Sequence, residues 1–288
     1  MEAGEEELGM ERLLAAIAAL GLVFVLAFHI VRPLPGCNLA PAAVRFAHRA
    51  LFSLETWRWQ ILEGDHFLVR YRRGDEENAR MVLREAEKLY YPLGEAFGCF
   101  PQKKVPIAVY RDRASLNRVF GWGSEESAMG VYWAGVIRIL SPQDWIDAVN
   151  DEERSLIFRK EGPVAHEYIH LLVDYKTAGN TPRWLTEGLA QYGEKRYAGV
   201  AAAGGEGRER LKLTLDALER HFDHPEWQDY SYAVSEDLVE YLVEKHGAGC
   251  LPAILEALGR GKTLDEALQE GGGEGLADFL RSYQESVA

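Results

Sequence analysis

The chain has 288 residues, a formal net charge of −13, eight histidines and three cysteines. Acid spread along the whole chain excludes nucleic acid as a partner, because phosphate binding needs clustered Lys and Arg. Cys37, Cys99 and Cys250 lie far apart without a C-x-x-C, which excludes a cysteine-zinc site and a dithiol redox motif and leaves room for one disulfide.

The first stretch, 1–12, is an acidic tail with Glu2, Glu5, Glu6, Glu7 and Glu11 against Arg12. Residues 13–31 are apolar apart from His29. As a helix this run rises about 28 Å, close to the ~30 Å hydrocarbon core. It is longer than a signal-peptide core and lacks the positive start of one, so it reads as an uncleaved single-pass transmembrane anchor, with a cleaved signal peptide as the alternative. Arg32, Arg45 and Arg49 follow it, and by the positive-inside rule they would keep the following domain in the cytoplasm. Residues 32–63 form a juxtamembrane helix or stalk. Within it, Ala40 to Leu62 predicts an amphipathic helix carrying Phe46, Leu51, Leu54, Trp57 and Trp59, either packed on the rest of the chain or lying at the membrane surface.

The main domain is expected over 64–288. Phe67, Val69 and Tyr71 alternate in a strand from His66 to Tyr71. Asp75 to Phe97 is a helix with the stripe Ala79, Val82, Leu83, Ala86, Leu89 and Tyr90. A strand at Val105–Tyr110, a helix at Ala114–Phe120, and strands at Gly130–Trp133 and Val136–Leu140 follow. This order, ahead of a helical block, predicts an α+β fold: a small mixed β-sheet lobe, then a mainly helical lobe. Further helices are expected at Asp151–Lys160, Glu209–His221, Ser235–His246, Leu251–Leu258 and Leu276–Tyr283. Gly199 to Gly207 reads as a loop and Gly271-Gly272-Gly273 as a linker.

Between the two halves, Gly162-Pro163 precedes Val164-Ala165-His166-Glu167-Tyr168-Ile169-His170, an H-E-x-x-H run. Four helical residues turn through roughly 400°, so His166 and His170 point the same way and can grip one zinc ion. Apolar neighbours on all sides leave this helix little wet surface, and a buried His-Glu-His set needs a partner. Thr181 is a candidate cap and Pro182 a candidate first residue for a second helix, in which Trp184, Leu185, Leu189 and Tyr192 bury one face. Glu187 lies among them, within reach of the two histidines. Two histidines, a glutamate and an open fourth position make a catalytic rather than a structural zinc arrangement. Glu167 sits beside the first ligand, where a carboxylate can take a proton from a metal-activated water. Manganese and cobalt are the alternative ions for such a donor set.

H-E-x-x-H followed by Trp184-Leu185-Thr186-Glu187-Gly188-Leu189-Ala190-Gln191-Tyr192 resembles the gluzincin metallopeptidases of the thermolysin and M1-like clan, and most of all the small peptidase MA-like domains. The resemblance implies His166, His170 and Glu187 as zinc ligands, Glu167 as general base, a peptide or protein substrate, and an extracytoplasmic site. Where larger relatives place an aspartate four residues after the third ligand, this chain has Gln191; Gln191 or Asp174 is left to orient a ligand imidazole. The resemblance also implies a strand lining the cleft, either Gly130-Val131-Tyr132 or Ile137-Arg138-Ile139, and an oxyanion donor from a downstream helix. Tyr232, in Tyr232-Ala233-Val234-Ser235, is the first candidate for that donor, ahead of Tyr230 and His224. The G-x-M-E-N signature of M1 aminopeptidases is absent, so an endopeptidase is expected. The alternatives are a catalytically silent zinc-binding scaffold and a non-peptide hydrolase on the same site.

Overall fold

The computed structural model describes residues 39–123, 128–198 and 214–287. The expected span 13–31, Cys37 and the loop 199–207 lie outside them. Among the described residues no helix is long and apolar enough to cross a membrane. Among the described residues Cys99 and Cys250 are not joined to each other, and Cys250 is buried.

Chain contacts divide the protein after Trp57. The first unit contains α1, Leu39–Glu55. Pro41 falls in its first turn, where a missing N–H is tolerated. The helix ends at Glu55 rather than running to Leu62. Beyond it the second unit begins, and Gln60–Glu63 forms a strand, β1, instead. The turn at Gly64-Asp65 lets β1 fold back on β2, Phe67–Tyr71, with Gln60 opposite Tyr71 and Glu63 opposite Leu68. Trp59 is buried edge-on against Tyr110 at 5.1 Å, which ties the start of the unit to the sheet.

The second unit, from Arg58, starts as a five-stranded sheet in the order β1-β2-β3-β5-β4. β3 is Val105–Tyr110, β4 Gly130–Trp133 and β5 Val136–Leu140. β2, β3 and β5 run parallel, and the two outer strands pair antiparallel to their neighbours. β5 is buried along its whole length, as expected of an interior strand covered on both faces. The helix α2, Glu76–Phe97, links β2 to β3, and α3, Arg113–Phe120, follows β3.

Helices make up the remainder: α4 Pro142–Trp145, α5 Asp151–Glu161, α6 Val164–Thr177 and α7 Arg183–Gly193, which runs into a π-helical turn at Glu194–Ala198. Then come α8 Leu215–His221, α9 Gln228–His246, α10 Cys250–Gly259, α11 Leu264–Gly272 and α12 Leu276–Ser286. The α+β expectation holds, with two further differences. α9 begins at Gln228 rather than Ser235, so Tyr230 and Tyr232 lie on the helix. Gly271 and Gly272 are no linker; they end α11, which opens with a capping box between Thr263 and Glu266. A Cβ on Gly271 would stand 2.5 Å from Ile254 Cγ1, so glycine there permits the close approach of α11 to α10.

α6 runs through the core, with Tyr168, Ile169, Leu171, Leu172 and Val173 all buried. It touches α2, β4, β5, α7 and α10. The two histidines are only half-buried, on one face of the helix.

Candidate metal centre

α5 passes to α6 through Gly162. A Cβ there would meet the Phe158 carbonyl at 2.3 Å, the same carbonyl that accepts from Gly162 N at 2.8 Å. The tight join starts α6 beside the sheet and sets the His166 and His170 rings 4.6 Å apart between centroids, at 77°. α7 packs across α6 and brings in Glu187, whose Oε2 lies 3.4 Å from His166 Nε2 and 3.4 Å from His170 Nε2. The donor atoms of these three residues all lie within 4.8 Å of one another.

That spacing is informative. A charge-assisted hydrogen bond would be about 2.7–2.9 Å, so neither contact is one. Glu187 Oε2 is buried and has no hydrogen-bond partner among the described residues. Two donors about 2.05 Å from a tetrahedral ion stand about 3.3 Å apart. A buried, orphaned carboxylate oxygen is costly by itself, and held at this distance from two imidazole nitrogens it fits a shared cation. The electrostatics agree. Burial alone would raise the Glu187 carboxyl, but the two imidazoles outweigh it and hold it well below the usual carboxylate range. Burial alone would lower His166, but the carboxylates of Glu187 and Glu194 outweigh it and raise its proton affinity.

The far nitrogens of both rings are occupied. His166 Nδ1 lies 3.1 Å from Glu194 Oε2, and His170 Nδ1 lies 2.9 Å from Thr186 Oγ1. Each bond turns Nε2 toward the cluster. The sequence reading had offered Gln191 or Asp174 for this task, and the structure assigns it to neither. Glu194 follows Glu187 by seven residues, a helical same-face spacing that was available as a signal. It was obscured because α7 widens into the π turn at that very residue, a distortion that occurs often at functional sites. Asp174 instead accepts a short hydrogen bond from the Tyr132 phenol, which also accepts from Gly135 N at 3.0 Å. Burial and the neighbouring Asp174 charge push that phenol far above its ordinary range.

Glu167 is buried, and its Oε2 accepts from the backbone N–H of Tyr132 at 2.5 Å. Burial raises its proton affinity, opposed by the two imidazoles. β4 comes so close that a Cβ on Gly130 would lie 2.8 Å from Glu167 Cγ and 2.8 Å from Pro163 Cβ. β4 is the outer strand, whereas Ile137–Ile139 lies in interior β5, so of the two candidate strands only Gly130–Tyr132 lies at the sheet edge among the described residues. By the alternation of antiparallel pairing, Gly130 and Tyr132 turn their backbone groups away from β5, which is how the Tyr132 N–H reaches Glu167.

On the other side, α7 starts without a side-chain cap of its own: Pro182 is the N-cap. Thr181 Oγ1 bonds Thr177 Oγ1 at 2.8 Å instead of capping. The free N–H groups of Arg183 and Trp184 are taken by the Glu219 carboxylate of α8, each at 2.9 Å. Arg183 pairs with both oxygens of Asp223, at 2.8 and 2.9 Å, and its Nε lies 3.7 Å from Glu187 Oε1. Tyr232 stands edge-on to Phe222 at 5.4 Å. Its phenol is pushed up to about 12 by burial and by the charge of Glu187, with a smaller push from Glu167 and opposition from Arg183. Tyr232 is therefore within electrostatic reach of both glutamates. Tyr230 packs on Trp227 at 5.6 Å and His224 on His221 at 5.9 Å. α9 presses against α7 directly behind Glu187, where a Cβ on Gly188 would lie 2.2 Å from the Ser235 carbonyl oxygen.

A family model described as the Peptidase MA superfamily matches residues 93–288. The chain belongs to the Peptidase MA superfamily. The matched range contains every residue of the cluster and both of its flanks. Membership in the superfamily implies a metallopeptidase-like activity, peptides or proteins as the class of substrate, and zinc as the typical metal. No curated protein matches the chain.

Proposed function

We propose that the protein is a zinc-dependent endopeptidase tethered to a membrane by residues 13–31, with its catalytic domain on the extracytoplasmic side that the family resemblance implies, against the cytoplasmic side that Arg32, Arg45 and Arg49 give by the positive-inside rule. His166, His170 and Glu187 hold the ion, and Glu167 is the general base. The observation that carries this reading is the orphaned Glu187 Oε2, 3.4 Å from each imidazole Nε2. A zinc ion at this place supplies Lewis acidity and makes water a competent nucleophile near neutral pH.

The protein's own groups do the rest. Tyr132 N–H fixes Glu167 Oε2, leaving Oε1 to take the proton of the attacking water and pass it to the leaving amine. The outer edge of β4 keeps the Gly130 N–H and the Gly130 and Tyr132 carbonyls for pairing with the substrate backbone as an added strand, while the Tyr132 N–H stays on Glu167. The Tyr232 phenol, raised to about 12, stays protonated at neutral pH and donates to the developing oxyanion.

Glu167→Gln, made in the full chain, should keep about one zinc per chain while hydrolysis of a mixed peptide library falls by about 10²–10⁴-fold. A variant as active as the parent would reject Glu167 as base. A parent that binds zinc and cleaves nothing would reject the peptidase. Protease added to intact cells should degrade the catalytic domain; protection would place it on the other side.

A further inference from the structure

Helix α1 shows a face that the proposed catalysis does not use. Val44, Leu51 and Leu54 share one stripe at helical spacing, flanked by Phe46, 76% exposed, and by Trp57 just past the helix end, 56% exposed. Ala43, Ala47 and Ala50 fall within the same arc, so it is apolar over nearly half the helix circumference. The opposite side carries Arg45, His48 and Arg49 together with the buried Phe52 and Thr56. This inverts the usual arrangement: the most exposed side of the helix is also its most apolar. A contiguous exposed apolar patch of this kind marks a binding surface.

What covers it follows from the neighbouring sequence. The apolar run 13–31 ends eight residues before Leu39, a link that spans at most about 28 Å. With that run in the bilayer, α1 is held permanently beside the lipid surface. A short tether raises the effective concentration of that surface, so a face of modest intrinsic affinity is occupied. Large aliphatic residues together with Phe and Trp suit the boundary between headgroups and acyl chains.

We propose that α1 lies in the plane of the membrane with Val44, Phe46, Leu51, Leu54 and Trp57 embedded in the interfacial layer. This rests on the anchor assigned to 13–31, and the test reads the two separately. The full chain, with Cys37→Ser, Cys99→Ser and Cys250→Ala, is given one reporter cysteine, either Leu51→Cys or, on the opposite side, Arg49→Cys. Each is labelled with an environment-sensitive fluorophore and reconstituted in phosphatidylcholine vesicles containing shallow spin-labelled lipid. The label at 51 should be blue-shifted and quenched at least about two-fold more than the label at 49. Equal quenching at the two positions overturns the proposal, as does excimer emission from pyrene at 51, which would assign the face to a second copy. A carbonate wash reports on the anchor: release of the chain rejects it, while stronger quenching at 51 before the wash still supports α1.

Discussion

On one side of the histidine pair, β4 brings backbone against Glu167; on the other, α9 brings backbone against Gly188, behind Glu187. Both contacts demand glycine, yet the atoms that forbid a larger residue differ. At Gly130 the obstacle is the side chain of the proposed base, along with Pro163. At Gly188 it is a main-chain carbonyl of α9. A side chain can rotate away at the expense of its chemistry, whereas a helix backbone can yield only by moving the helix. The first wall therefore protects reactivity and the second protects the fold.

Substitutions sharpen that contrast. The largest effect belongs to neither wall: Glu187→Ala removes the shared oxygen and should abolish stoichiometric zinc, read by metal analysis of the purified chain. Next, Gly130→Ala should displace Glu167 and lower kcat by about 10²-fold, with zinc content and Tm near those of the parent. If activity survives intact, the strand does not position the base.

The orienting bonds come third. Glu194→Gln should weaken zinc binding by about 10–100-fold in a chelator competition, and Thr186→Val by less, because a charged acceptor polarises an imidazole more than a hydroxyl does. An equal loss for the two would remove the distinction. Gly188→Ala should cost about 1–3 kcal/mol of stability, seen as a fall in Tm, while the protein that remains folded retains catalytic competence. A normal Tm with lost activity would reverse the roles given to the two walls. The smallest effect should come from Glu219→Gln, which weakens the borrowed cap on α7 by about 0.5–2 kcal/mol, measured by denaturant unfolding.

The histidine pair was legible because helical periodicity is local: i and i+4 share a face wherever the helix sits, and Glu187 was legible as a lone carboxylate among the apolar residues of the next helix. Glu167 was read from the same motif, beside the first histidine, and the family resemblance added Tyr232 as a candidate oxyanion donor, which remains a proposal. Less legible were features that depend on where one element meets another. β1 was hidden inside a predicted helix because its four residues become a strand only by pairing with β2. The glycine pair in α11 looked like a linker because glycine is poor in helices, and only the close approach to Ile254 explains it. Glu194 was missed because a π turn changes the angular step of the helix at that residue.

The amino-acid sequence by itself determined which side chains could meet a metal, since donor chemistry and helical spacing belong to the chain. It also determined the α+β order of elements. Only the tertiary structure decided that β4 is the outer strand beside Glu167, that Glu194 and Thr186 turn the imidazoles, and that the apolar face of α1 is exposed. Each of these is set by contacts between residues distant in sequence or by the exposure of a whole face, and no local propensity encodes which surfaces end up together.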